Sequence, residues 1–307
     1  MRHDCTPCKR VSYAGEGRSP YQGFFNYNPD MQELLQSKPR PWVMGILNVT
    51  PDSFSDGGRF FEWEDAVRRA EQLVADGAGV LDVGGESSRP GAQQVTEQEE
   101  RRRIVPVIRA IRARFDVPIS VDTVKASVAA EALSAGARWI NDISALRDDP
   151  RMAAVAAESH APVVLMHRAG TVHKQYLDFE YADVIQDVKA FFSERIAFAL
   201  EASIAGDKII LDPGIGFGKK AIENCRLIQG LAEFKSFGKP LLVGTSRKSF
   251  IGKLTGVPVE HRLPATIASS LIAALRGADI VRVHDVAEVK QALMMARYIL
   301  GEPPSMR

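Results

Sequence analysis

From residue 42 onward, short apolar runs alternate with longer stretches whose apolar residues recur about every 3.6 positions. The short runs predict strands at 42–48, 79–84, 118–122, 138–142, 162–166, 208–212, 240–245 and 279–283. The longer stretches predict helices at 64–75, 97–114, 125–135, 151–159, 182–204, 222–234, 264–276 and 286–300. Runs such as VVLM and KIIL are almost continuously apolar, which is how parallel strands read when both faces are covered. Several helices end in a glycine signal just before the next strand, as in DGAGVLDV, SAGARWIN, IAGDKIIL and LRGADIVRV. About eight such βα units fit an α/β fold of the (β/α)8 TIM-barrel type, one domain spanning 41–303. A doubly wound open sheet is the alternative, weakened because no GxGxxG follows the first strand.

Residues 1–40 lack this alternation. Glycine, proline and polar residues dominate, with one short helical candidate at 31–36, and KPRP (38–41) then forces an extended lead into the first strand. We read this segment as an irregular extension. Cys5 and Cys8 form a lone CxxC with His3 nearby; without a second pair it reads as incidental rather than as half a zinc site. The chain has three cysteines, too few and too odd a number for a disulfide framework. A net charge of +1 provides no global field for nucleic acid or a membrane surface, so any anion site must be local. No apolar run approaches the length of a membrane span, and the N-terminus lacks the apolar core of a signal peptide. The expectation is a cytoplasmic protein.

In a barrel of this kind the site lies where the strands end. The first strand ends at Asn48 and runs into TPDSFSDGG, a loop of turn formers with one aromatic, Phe54. Such a loop suits a substrate lid, or else a plain connection whose Phe54 packs back on the barrel. The second strand delivers Gly84, Gly85 and Glu86, then Ser87, Ser88, Arg89 and Pro90. The others deliver Asp122, then Asn141 with Asp142, Met166 with His167, and Asp212 with the loop GIGFGK. The last two deliver Ser246, Arg247, Lys248 and Ser249, then Arg282 with His284. The strand interiors read as almost wholly apolar. A single Asp after a strand is usually a helix cap, but a ring of polar groups at one end of every strand points to a site. Asp122, Asn141 and Asp212 suit a planar heterocycle with adjacent N–H donors. Phe217 and Met166 could sandwich such a ring. Arg89, Arg247, Arg282 and His284 suit a phosphate or diphosphate.

Taken together, MGILNVTPDSFSDGG (44–58), LDVGGESSRPGA (81–92), ISVDT (119–123), IND (140–142), VVLMH (163–167), ILDPGIGFGK (210–219), LLVGTSRKSFIG (241–252) and RVHDV (282–286) resemble the dihydropteroate synthases. The resemblance implies the condensation of (7,8-dihydropterin-6-yl)methyl diphosphate with p-aminobenzoate to 7,8-dihydropteroate and diphosphate, a step of folate synthesis. It places Asp122, Asn141, Asp212 and Lys248 on the pterin, with Met166, Phe217 and Arg282 lining or stacking on it. It gives Asn48 a Mg2+ ion on the diphosphate, and Ser87, Arg89, Arg282 and His284 the anion itself. Phe54, Ser88, Pro90, Lys248 and Ser249 would frame p-aminobenzoate. The reaction itself would fall to Asp56, Lys248 and Arg89, with Asp56 offsetting positive charge as it develops on the pterin methylene. The resemblance further implies a homodimer and competitive inhibition by sulfonamides, with Leu293, Met294, Met295 and Tyr298 as one source of a dimer face or else of core.

Two positions depart from the family's pattern: Ser88 stands where threonine is common, and Arg168 where an uncharged residue is common. Two rival functions are a folate-dependent methyl transferase and a non-catalytic pterin binder. The first needs no diphosphate cradle, and the second need not keep Asn48, Asp56, Lys248 and His284 together.

Overall fold

The computed structural model describes residues 41–50, 61–88, 92–170 and 179–301. The extension at 1–40, with its helical candidate and its CxxC, lies outside them, as do Phe54, Asp56, Arg89 and Pro90. Eight parallel strands form one sheet: β1 (Trp42–Asn48), β2 (Val80–Gly84), β3 (Ile119–Asp122), β4 (Trp139–Asp142), β5 (Val163–Met166), β6 (Ile209–Asp212), β7 (Leu242–Val243) and β8 (Ile280–Val283). Their order is β6-β5-β4-β3-β2-β1-β8-β7, and a parallel bridge between Leu211 and Leu241 brings β6 back to the edge of β7. The sheet thus curls into the predicted barrel.

Nine α-helices surround it among the described residues: α1 (Phe61–Ala75), α2 (Glu97–Arg114), α3 (Ala126–Ser134), α4 (Met152–Ser159), α5 (Val184–Glu201), α6 (Ala221–Gln229), α7 (Ser249–Thr255), α8 (Leu263–Leu275) and α9 (Val286–Ile299). Helix α2 starts where Thr96 accepts a hydrogen bond from Glu99 N, and α5 where Asp183 accepts from Ile185 N and Gln186 N. Side-chain oxygens there meet N–H groups that the helix leaves unpaired.

Two expectations change. The helix predicted at 222–234 stops at Gln229 and gives way to a tighter turn over Leu231–Phe237. The break falls at Gly230, where a Cβ would lie 2.2 Å from Ile185 Cδ1, so the close approach of α5 requires glycine. The strand predicted at 240–245 keeps only Leu242–Val243. The chain leaves the sheet at Gly244 and turns through Arg247, which has φ 56°.

Alternation along each strand sorts the core into two layers. Trp42, Met44, Val80, Trp139, Val164, Ile210, Leu242 and Ile280 fill the barrel's interior, where Trp42 and Trp139 stack with centroids 6.2 Å apart. Their neighbours Val43, Leu81, Ile140, Val163, Leu165, Leu211 and Val281 face outward and pack with residues of the helices, Leu73, Ile108, Ile111 and Phe192 among them. The parity of the inner layer positions the site. Two residues beyond Trp139 is Asn141, beyond Val164 is Met166, beyond Ile210 is Asp212, and beyond Ile280 is Arg282. These four apolar plugs therefore carry a polar or polarizable residue above them on the same face.

Candidate active site

The strand register sets the ring. Asn48 is level with Gly84, Gly84 with Asp122, Asp122 with Asn141, and Met166 with Asp212. Across β1, Met44 is level with Arg282. Arg282 reaches over the pocket floor, donating from Nε to Asp82 Oδ2 at 2.5 Å and from Nη2 to Asp122 Oδ2 at 2.6 Å. Asn141 donates from Nδ2 to the same Asp82 oxygen at 3.0 Å. Asp212 accepts from Gly214 N at 2.7 Å, which turns the following loop inward.

Met166 and Phe217 join Ile143, with Val124 beside them, in a small apolar cluster separate from the two core layers. This slab and the polar edge of Asp122, Asn141 and Asp212 are the two surfaces that a flat, hydrogen-bonding ring requires. The Lys248 ammonium lies 4.0 Å from the centroid of Phe217. Lys248 is set there by the turn into α7, and Gly216, with φ +85°, leaves room for its stem.

Electrostatics follow from burial. The Asp122 carboxyl is pushed up to about 7 by loss of water and by Asp82, against the pull of Arg282. Burial also raises Asp212, opposed by the Gly214 N–H and by Lys248. Lys248 is lowered to about 8 by burial and by the Arg282 charge. Arg282, held between two carboxylates, is raised above its ordinary value despite its burial. The pocket thus concentrates groups whose proton affinity is moved toward neutrality, a property common at sites of chemistry.

The loop after β2 is clamped at its base. Glu86 accepts from Val95 N at 3.2 Å and pairs with Lys125, which also donates to the fully buried Glu100 at 2.5 Å. A Cβ on Gly85 would sit 2.8 Å from Ile104 Cγ2, so glycine lets α2 press against the loop. Ser87 and Ser88 follow, half-buried, at the strand's end. After β6, the buried Lys219 donates to the carbonyls of Gly214, Phe217 and His167 at 2.8, 3.1 and 3.3 Å. It pins the loop that carries Phe217. Lys219→Met leaves three carbonyls without that donor, each a loss on the order of 1 kcal/mol. We expect a melting temperature several degrees lower and a weaker hold on a ring stacked at Phe217, checked by calorimetry and by titration with pterin.

The remaining expected members make contacts of their own. Asp142 faces the opposite side of β4 and accepts from Ser144 N and Leu146 N, so it shapes a turn. His167 faces α5, edge-on to Phe191 at 4.8 Å, and burial holds it neutral. Arg247 is clamped at the surface by Asp285, through Nη2 at 2.5 Å and Nε at 3.1 Å, so its charge is matched away from the pocket. His284 lies at the end of β8 with Nδ1 2.9 Å from Ser246 Oγ, and Ser249 is exposed at the start of α7. Arg168 is 2% exposed and donates to Asp148 at 2.5 Å, tying β5 to the loop after β4 rather than entering the ring. Leu293 is core, whereas Met294, Met295 and Tyr298 are exposed. The reading of apolar strand interiors missed Asp82, fully buried in the middle of β2.

The barrel, with an acceptor-rich edge beside an apolar slab at its strand ends, defines a pterin-binding enzyme. The family described as pterin binding enzyme matches residues 44–284. The chain belongs to that family and, within it, to the dihydropteroate synthases. The dihydropteroate synthase of Escherichia coli K12 is 48% identical over 267 residues, covering 87% of this chain and 94% of its own length. The Xanthomonas albilineans enzyme, solved with 4-aminobenzoic acid, is 45% identical with a TM-score of 0.81, and the match covers 86% of this chain and 94% of that one. The Yersinia pestis enzyme, solved with a sulfonamide drug, is 46% identical with a TM-score of 0.81, covering 85% of this chain and 95% of that one.

Proposed function

We propose that the chain condenses (7,8-dihydropterin-6-yl)methyl diphosphate with p-aminobenzoate, giving 7,8-dihydropteroate and diphosphate. The observation that carries this reading is the convergence of Asp122, Asn141 and Asp212 beside the Met166–Phe217 slab. The edge takes the pterin's donors, the slab takes its face, and Arg282 and Lys248 lie along its border. Ser87, Arg89, Arg282 and His284 contact the diphosphate. Ser88, Pro90, Lys248 and Ser249, with Phe54, frame p-aminobenzoate.

Catalysis on this reading is positioning plus charge. The methylene C–O bond breaks with its electron pair leaving on diphosphate. The positive charge spreads into the dihydropterin ring and is offset by Asp56. The neutral aniline nitrogen forms the new C–N bond and releases its proton to solvent.

Among the described residues no group of three His, Cys, Asp or Glu side chains could hold a metal ion. Asn48, half-exposed at the end of β1, offers an amide oxygen, a hard donor that would suit Mg2+. Bound there, Mg2+ would stabilise the negative charge on the leaving diphosphate. Asp56→Asn is expected to lower kcat by about 100-fold or more with little change in affinity, because its charge matters mainly in the transition state. Steady-state kinetics check this; an unchanged kcat removes Asp56 from the mechanism.

Exposed Ile272 and Leu275 on α8, and Met294, Met295, Tyr298 and Ile299 on the adjacent α9, supply an apolar face for a second copy of the chain. Sedimentation should then show a dimer. Sulfonamides compete with p-aminobenzoate on this reading, and the setting is cytoplasmic. No helix among the described residues is long and apolar enough to cross a membrane. Diphosphate release tests the function: it should require p-aminobenzoate and Mg2+ and stop with EDTA. Pterin binding without release would mark a non-catalytic binder.

A further inference from the structure

Asp82 is fully buried below the pocket and is used by no step above. Its Oδ2 accepts from both Asn141 Nδ2 at 3.0 Å and Arg282 Nε at 2.5 Å, while its Oδ1 has no partner among the described residues. Arg282 continues to Asp122 at 2.6 Å, so two of the polar groups proposed to read the heterocycle connect to this one carboxylate. An asparagine amide can present either its donor or its acceptor to a ligand. An ionised carboxylate accepts only, so Asp82 fixes Asn141 with Nδ2 turned toward β2 and Oδ1 turned away from it. The guanidinium, bonded through two of its nitrogens to two carboxylates, is likewise held in one plane.

We propose that Asp82 is a positioning residue for heterocycle recognition: it orients the Asn141 amide oxygen toward the ligand and holds the Arg282 plane, making the pocket select a ring that offers donors. The inference rests on the reading that a pterin binds at this edge. The neighbouring carboxylate Asp122 supplies acceptors of its own, but only Asn141 has a polarity that must be chosen. With Asp82→Asn, the new amide can donate to Asn141, which is then free to turn its own N–H groups on the ligand. The bond between the two side chains survives, while the lost charge opposite Arg282 Nε lowers the melting temperature, a cost that the thermal melt reads separately from recognition.

The experiment is isothermal titration of the full-length protein with pterin (2-amino-4-oxopteridine), together with KM for each substrate and a thermal melt. Asp82→Asn is expected to weaken pterin about tenfold or more, raise KM for the pterin diphosphate, and leave KM for p-aminobenzoate unchanged. The double variant Asp82→Asn, Asn141→Asp reverses the bond while presenting an acceptor to the ligand. It is expected to recover most of the lost affinity, which a general packing defect would not allow. Wild-type affinity in Asp82→Asn, equal losses for both substrates, or a double variant worse than the single one overturns the proposal. Asp122→Asn is titrated alongside. If it weakens pterin and Asp82→Asn does not, only the role of Asp82 fails; if neither weakens it, the pterin site is elsewhere.

Discussion

Asp122→Asn should weaken binding of the pterin diphosphate by about 10- to 100-fold, the consequence of placing a donor against a donor in a buried site. Arg282 has no acceptor of its own and already takes Asp122 Oδ2 at 2.6 Å. In the variant it claims the single remaining oxygen, and the new amide nitrogen is left facing the ligand's N–H groups. The same reasoning gives a pH dependence. The wild-type carboxyl is pushed up to about 7, chiefly by burial. Below that pH it gains a proton and presents the wrong polarity, so pterin affinity should fall as pH drops from 8 to 6. Asparagine cannot titrate, so this limb should vanish in the variant. Titration calorimetry at several pH values measures both effects. An unchanged affinity removes Asp122 from the pterin edge, and a limb that persists unaltered assigns the titration to the other raised carboxyl, Asp212.

Arg282→Met should have the largest effect on stability. It leaves Asp82 and Asp122 without the guanidinium that joins them. Breaking a buried ionic group in this way typically costs about 3–5 kcal/mol. Protonation of one carboxylate can relieve part of this. With Arg282 gone, the folded-state Asp122 carboxyl lies further above its unfolded value, so the native state binds a proton that the unfolded chain releases. The deficit therefore grows as pH rises from the ordinary carboxylate range through neutrality. Thermal melts should show a larger loss against the wild type at pH 8 than at pH 6. Equal losses would mean that Arg282 acts through packing alone.

The barrel was legible because its signal is repeated: an apolar run, a glycine joint, a 3.6-residue stretch, and then the same again. The ring was legible where polar residues ended the strands, as at Asp122, Asn141, Asp212 and Arg282. Asp82 was not, because one acid within LDVG looks like noise until Arg282 and Asn141, far away in sequence, close on it. Arg247 misled for the opposite reason. It sits beside Lys248 in the motif, but its positive φ sends the side chain outward to Asp285. The shortening of the helix at Gly230 also depends on a distant partner, Ile185. Local pattern fixes which residues lie at the strand ends; contacts between strands decide which of them share a pocket.

A crystal structure of the chain with 7,8-dihydropteroate decides whether the heterocycle lies on the edge formed by β3, β4 and β6. The pterin is expected between Met166 and Phe217, with Asp122, Asn141 and Asp212 accepting its hydrogen bonds and Asp82 holding Nδ2 of Asn141. A product molecule bound elsewhere, for instance in the ≈ 920 Å³ cavity lined by Glu86, Lys125, Arg147 and Arg151, would contradict it.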